Sequence, residues 1–330
     1  MATRAHVSKT TVSHVLSGKR PVAPATRVRV NAAIAELGYR PDGLARSLRT
    51  RRSHMVALVI PDITNPFYPV LARGLEDGMQ GGGYRTFICN SDGRLEFEEE
   101  FLHEAVDRGV DGIVMDSFSM RSDRLSARVR NGVSVVRVGT TAIDDPGFDA
   151  VHANDRRGAV DAVRHLIGRG CRRVAMIQGP AGAGRKRNEG YLQALDEAGI
   201  PHDPELVVSG EWTREGGEMA ALRLLELEDP PTAIFCANDL LALGVLQAMY
   251  AAGITVPDDL AIVGYDDIEF AAAAAVPLTS VRQPAVTMGA LAAELLLEET
   301  EAETGTKRHE HRRVVLQPEL VVRRSSLSAR

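Results

Sequence analysis

The sequence predicts an α/β protein whose core is two lobes, each a parallel sheet with helices on both faces, behind a small all-α head. Three observations predict it. From Met55 onward, short apolar runs alternate with segments of helical period, the pattern of parallel sheets covered on both faces. These runs number eight, so two sheets fit better than one, with a break near residue 154. Residues 1–54 differ in kind, with 11 Lys and Arg against 2 acids, whereas the remaining 276 residues hold 28 basic and 42 acidic groups. A basic head on an acidic body suits binding to a polyanion.

The head opens on a helix from Ser8, whose hydroxyl can cap a free backbone N–H of the first turn. Val12, Val15 and Leu16 form a narrow apolar stripe, and Gly18 supplies a stop. The opposite face carries Lys9, Thr10, Ser13, His14 and Ser17, short or basic groups suited to base edges and phosphates. In the second helix Pro24 suits the first turn, Val30, Ala33, Ile34 and Leu37 share a face, and Gly38 ends it.

In the core, strands are predicted at Val56–Ile60, Thr86–Cys89, Gly112–Met115 and Ser134–Val138. Four more follow at Val174–Gln178, Leu206–Ser209, Ala233–Cys236 and Ala261–Tyr265. Helices are predicted at roughly 67–81, 96–108, 121–131, 155–168, 186–198, 214–227, 239–252 and 285–299. The expected division is a head at 1–43, a linker at 44–54 and a core at 55–330. Lobe 1 is expected to hold about 55–153 plus 283–310, and lobe 2 about 154–282 plus 311–330.

Ligands of open α/β sheets sit beyond the carboxyl ends of the strands. The residues there are Asp62 to Tyr68, Asn90 to Asp92, Asp116 to Ser119, Gly139 to Thr141, Gln178 to Arg187, Gly210 to Trp212, Asn238-Asp239 and Asp266-Asp267. Asn, Asp, Arg and flat rings are the groups that hold a small polyol.

Other chemistry is not expected. Gly179–Lys186 lacks the Ser or Thr of a phosphate-binding P-loop and the third glycine of a dinucleotide fingerprint, so it reads as a flexible loop leading to Arg187. His309-Glu310-His311 reads as a solvated loop instead of a metal site, and no nucleophile with a paired base stands at a recognisable spacing. No catalytic residue, metal or cofactor is therefore expected. Cys89, Cys171 and Cys236 are isolated, as in reduced thiols of a cytosolic protein. No apolar run approaches the ~18 residues of a membrane span, and no apolar signal region opens the chain.

Val7–Gly18, then Glu36-Leu37-Gly38-Tyr39-Arg40-Pro41, then Leu44-Ala45-Arg46-Ser47-Leu48-Arg49 resemble the lactose/galactose repressor (LacI/GalR) family in order, spacing and wording. The resemblance runs through almost the whole chain. It implies a type I periplasmic-binding-protein-like core and identifies 44–49 as a hinge helix that folds when a dimer meets DNA. Leu48, beside Ala45 and Arg46, would wedge into the minor groove. Thr10 and His14 are expected at base edges, and Lys9, Thr11, Ser13 and Arg40 at phosphates.

For the core, the resemblance marks Phe67, Tyr68, Arg187, Trp212, Asn238, Asp266 and Gln283 as effector-binding. Asp239 and Asp267 are expected instead as caps or lobe-bridging groups. The helix near Val70–Met79 would contribute to a dimer interface.

The sequence departs from the family at three places. Met1 stands where the family has valine, so the natural start is expected a few residues upstream; in the alternative, a truly shortened chain, Val12, Val15, Val30 and Ile34 would be poorly covered. His6 occupies a tight-turn position where the family prefers glycine. Gly139 stands where many sugar-binding members have Asp.

The function implied is a ligand-gated, sequence-specific transcription regulator, a repressor, in the cytoplasm with the nucleoid. It would act as a homodimer on a near-palindromic operator, answering a sugar or related polyol. The rival reading is a soluble sugar-binding module whose shortened head cannot bind operator.

Overall fold

The computed structural model describes residues 1–17, 20–38, 52–117, 120, 122–129, 133–139, 147–180, 184–304 and 309–327. The chain divides into two compact units, Met1–Ser53 and His54–Arg330.

In the head, one helical turn precedes the first regular helix, with Ala5 N–H donating to Met1 C=O at 2.9 Å and Val7 N–H to Ala2 C=O at 3.0 Å. Ser8 then caps α1 (Lys9–Ser17), its Oγ accepting from Thr11 N at 3.0 Å. Helix α2 (Pro24–Glu36) follows, with proline in its first turn. Ala5, Val12, Val30 and Ala33 form a small buried core, flanked by Met1, Ala2, Val7, Val15 and Ile34. The expected poor cover thus holds only for Val15 and Ile34; Val12 and Val30 are buried because the first turn packs onto them. His6 has φ +50°, the left-handed conformation that suits glycine at its turn. Gly18, Arg40 and the expected hinge helix with Ala45, Arg46 and Leu48 lie outside the described residues.

The core unit contains two six-stranded sheets. The first holds β1 (Met55–Ile60), β2 (Arg85–Asn90), β3 (Gly112–Asp116), β4 (Ser134–Val138), β5 (Asp149–Ala153) and β11 (Arg313–Leu316). Their order is β11-β5-β4-β3-β1-β2, and every pairing is parallel. The second holds β6 (Val174–Gln178), β7 (Val207–Ser209), β8 (Ala233–Cys236), β9 (Ala261–Asp266), β10 (Thr279–Arg282) and β12 (Glu319–Val321). Here the order is β12-β10-β9-β8-β6-β7, with only β12 antiparallel.

Helices α3 (Phe67–Gln80), α4 (Leu95–Asp107), α5 (Ser122–Arg128) and α11 (Ala285–Thr304) accompany the first sheet in the order of the chain and its packing. Helices α6 (Asp155–Gly168), α7 (Arg185–Glu197), α8 (Arg214–Leu225), α9 (Asp239–Ala252) and α10 (Glu269–Ala273) belong to the second. Two apolar layers sandwich sheet one: Leu58, Leu71, Val114 and Met288 on one side, and Val59, Leu102, Ile113 and Leu125 on the other. All eight expected strands form: in β1, β3, β4, β6, β8 and β9 the apolar runs are buried on both faces, whereas the edge strands β2 and β7 stay partly exposed.

Four strands lack that signature. In β5, Asp-Ala-Val-His-Ala, two polar side chains are themselves buried. β10 carries buried Thr279 and Ser280, while β11 and β12 are short edges. β11 also corrects the expected lobe boundary at 310–311. Arg313–Leu316 pair with Ala150–Ala153, so lobe 1 runs on to residue 316. The chain therefore crosses between lobes near residues 154, 283 and 317. Cys89, Cys171 and Cys236 are free thiols. Among the described residues no helix is long and apolar enough to cross a membrane.

Candidate functional site

The carboxyl ends of the two sheets face a cleft of about 620 Å³, counting its open mouth. Phe67, Tyr68, Arg187, Trp212, Asn238, Asp266 and Gln283, all seven effector residues expected from the sequence, line it. Asp62, Asn65, Asp116, Gly139 and Gly184 line it as well.

Lobe 2 supplies the cationic wall. Arg187, in the first turn of α7, is 9% exposed and lies over the Tyr265 ring at 3.9 Å. Its guanidinium stands 3.6 Å from both Asp155 and Asp266, and Nη1 donates to the Ala237 carbonyl. Burial alone would make Arg187 easier to deprotonate, but the two carboxylates outweigh it and the group stays charged.

Asp266 ends β9 at φ +104°, and Asp267 follows at φ +55°. Two consecutive non-glycine residues in that region store backbone strain, which is held here by the bonds on both side chains. Gln283 Nε2 donates to Asp266 Oδ1 at 2.8 Å, while Asp267 pairs with Arg282 at 2.8 Å and Arg323 at 2.5 Å. Burial pushes the Asp266 carboxyl up to about 6, against the opposing pull of Arg187 and Gln283.

The remaining lobe 2 positions follow from local structure. Asn238 caps α9, its Oδ1 accepting from Leu241 N at 2.8 Å. Asp239 is fully buried and accepts from Ile268 N at 2.8 Å and Ser280 Oγ at 2.6 Å. Asp239 and Asp267 therefore tie loops together within lobe 2, and among the described residues neither lines the cleft nor bonds across to lobe 1. The glycine-rich segment also has a packing role. A Cβ on Gly179 would lie 2.1 Å from the Trp212 ring, and one on Gly184, at φ +74°, would lie 3.3 Å from it. These glycines make the bed on which the indole lies.

Lobe 1 supplies a second carboxylate, which the sequence places at a strand end but the family resemblance does not mark as effector-binding. Asp116, 5% exposed, ends β3 and accepts at Oδ2 from the Tyr68 hydroxyl at 3.0 Å. Burial pushes its carboxyl up to about 7. Its Oδ1 has no partner among the described residues. A Cβ on Gly139 would lie 2.4 Å from that oxygen, so Asp116 occupies the space a side chain at 139 would need. The signal was in the sequence: Asp116 and Gly139 follow adjacent strands, and the departure at one bears on the other. In front of them, Asn65 Oδ1 accepts from Phe67 N at 3.1 Å and holds the loop that aims Phe67 and Tyr68.

In the head unit, Lys9 and Thr10 of α1 are exposed, and Thr11, Ser13 and His14 are half-buried. The Thr11 hydroxyl lies 2.9 Å from the capping Ser8 Oγ.

Residues 1–42 match the sequence profile of bacterial regulatory proteins of the lacI family, and residues 163–326 that of a periplasmic binding protein-like domain. The HTH-type transcriptional repressor PurR of Aliivibrio salmonicida is 32% identical over 98% of this chain and 97% of its own. Among solved structures, a complex of the transcriptional regulator CelR with cellobiose is 34% identical, with TM-score 0.75 and 98% of each chain covered. The lac repressor dimer bound to operator and the anti-inducer ONPF is 25% identical, with TM-score 0.87 over 99% of this chain and 98% of that one. With PurR-like identity sustained over essentially its whole length, this chain belongs to the lacI family of bacterial regulatory proteins.

Proposed function

We propose that this protein is an operator-binding repressor whose affinity for DNA is set by a small polyhydroxyl effector, a sugar first, held between the lobes. The observation that carries it is a pair of unmet buried polar atoms in the cleft. Arg187 Nε is a buried donor and Asp116 Oδ1 a buried acceptor, neither with a partner among the described residues, and both residues line one cavity. Leaving such groups unmet costs about 1–3 kcal/mol each. A hydroxyl both donates and accepts, so a polyol meets the two needs at once, and the Trp212 and Phe67 rings cover its apolar face. The solved complex of CelR with cellobiose supports this class of effector.

Two heads of a homodimer read two half-sites, as the lac repressor dimer on its operator supports. Thr10 and His14 reach base edges; Lys9, Thr11, Ser13 and Arg40 hold phosphates; Ala45, Arg46 and Leu48 enter the minor groove. The helix carrying Val70–Met79 contributes to the dimer. The protein acts on nucleoid DNA in the cytoplasm and catalyses no reaction. Effector works only through different affinities for the DNA-competent and DNA-incompetent states.

A gel shift with the gene's own upstream region, at two salt concentrations, tests the reading. Sequence-selective binding that weakens steeply with salt is expected. His14→Ala and Leu48→Ala should lose it while keeping effector binding. Binding without sequence preference would refute the operator reading.

A further inference from the structure

We propose that Asp149, His309 and His311 form a binding site for a divalent transition metal, at the end of the first sheet opposite the effector cleft. One ligand atom from each of the three lies within 4.8 Å of the others. His309 Nε2 is 2.6 Å and His311 Nδ1 4.0 Å from the same oxygen, Asp149 Oδ2.

The fold builds this meeting point. Asp149 opens β5, and the two histidines lie in the segment that leads into β11. Parallel pairing sets Ala150 against Arg313, and Ala150 N–H donates to Arg312 C=O at 2.9 Å, so the register is fixed. At an i, i+2 spacing, both imidazoles lie on one side of that segment, towards Asp149. Their ring centroids are 5.3 Å apart. The Asp149 side chain is fully buried, and its other oxygen, Oδ1, accepts from Arg312 N at 2.5 Å. That bond orients the carboxylate and leaves Oδ2 to face both rings. His309 is 12% and His311 31% exposed at the side chain, so an ion can enter from solvent on the His311 side.

The segment is therefore not the solvated loop that its composition suggests. A hydrogen-bonded His309–Asp149 pair needs only one imidazole; the second ring at the same oxygen is what a metal would use. Two imidazoles and one carboxylate suit Zn²⁺, Co²⁺, Ni²⁺ or Fe²⁺, with water completing the shell. Mg²⁺ and Ca²⁺ prefer all-oxygen sets. A metal here would clamp β11 to β5 within lobe 1.

The test is titration of the full-length, metal-stripped protein with Co²⁺ and Zn²⁺ by visible spectroscopy and calorimetry. One ion per chain is expected, with a rise in Tm and no response to Mg²⁺. His309→Gln and His311→Gln should each weaken binding more than about 10-fold. Both substitutions are at partly exposed positions, and thermal unfolding of the variants without metal verifies that they fold; Asp149→Asn, at a buried position, is the secondary variant. Absence of binding at micromolar Co²⁺ or Zn²⁺, or stoichiometric binding unchanged in the double His309→Gln/His311→Gln variant, would overturn the proposal.

Discussion

The two walls of the cleft each present a buried carboxylate at the end of a strand, yet they are poised differently. Asp266 of lobe 2 sits 3.6 Å from Arg187, with Gln283 donating to it, and its carboxyl is pushed up only to about 6. Asp116 of lobe 1 accepts one bond, from Tyr68, and is pushed up to about 7. Tyr68 itself, buried beside Asp116, is held far above the ordinary range and stays a neutral donor. Equal burial with unequal neutralisation gives one carboxylate already matched by protein and one that waits for a ligand. On the proposed function, lobe 2 would anchor the effector and lobe 1 would read it.

The largest effect should come from breaking the anchored wall. Arg187→Ala leaves Asp155 and Asp266 buried without their cation, and a loss of about 3–5 kcal/mol is expected in chemical denaturation. Arg187→Lys should recover part of the stability but not the stacking on Tyr265.

Asp116→Asn should act in the opposite direction. A group whose carboxyl rises on folding contributes stability that is complete below about pH 4 and lost as pH climbs through about 7. The variant removes that loss, so its advantage over wild type should grow between pH 4 and 7, to as much as about 4 kcal/mol at pH 8. Denaturation midpoints of the two proteins at pH 4.5 and 8 check it. An advantage that does not change with pH would break the contrast between the walls.

Trp212→Ala should lower effector affinity by roughly 10-fold or more through lost ring packing, leaving DNA binding without effector intact. The smallest effect falls in the head. Ser8→Ala removes the cap on Thr11 N and should cost about 1 kcal/mol, read as a lower Tm for the head.

What the sequence made legible follows from burial on both faces. Runs such as Met55–Ile60 or Ala233–Cys236 announce their strands, and the residues after them announce the cleft. β5 and β10 stayed hidden because their polar side chains find partners only in the tertiary structure: the Asp149 carboxylate with Arg312 N and His309, the Thr279 hydroxyl with the Arg323 backbone and Ser326 Oγ. Asp116 was hidden for a related reason. Its meaning depends on a glycine 23 positions later in sequence, brought beside it by the parallel register of Asp116 with Val138. Likewise His309 and His311 gain a common partner only through the late return of β11 to the first sheet.

On the proposed function, a ligand in this cleft sets the protein's affinity for DNA. Fluorescence anisotropy of labelled upstream DNA, titrated with whichever sugar, nucleoside or purine raises the Tm of the wild-type protein, tests it most directly. The ligand should change the Kd for DNA at least about 5-fold. In Asp266→Asn and Asp116→Asn that response should shrink or vanish, with ligand-free DNA binding preserved. A ligand that binds the cleft yet leaves the Kd for DNA unchanged, or one whose effect survives both substitutions, would contradict the account.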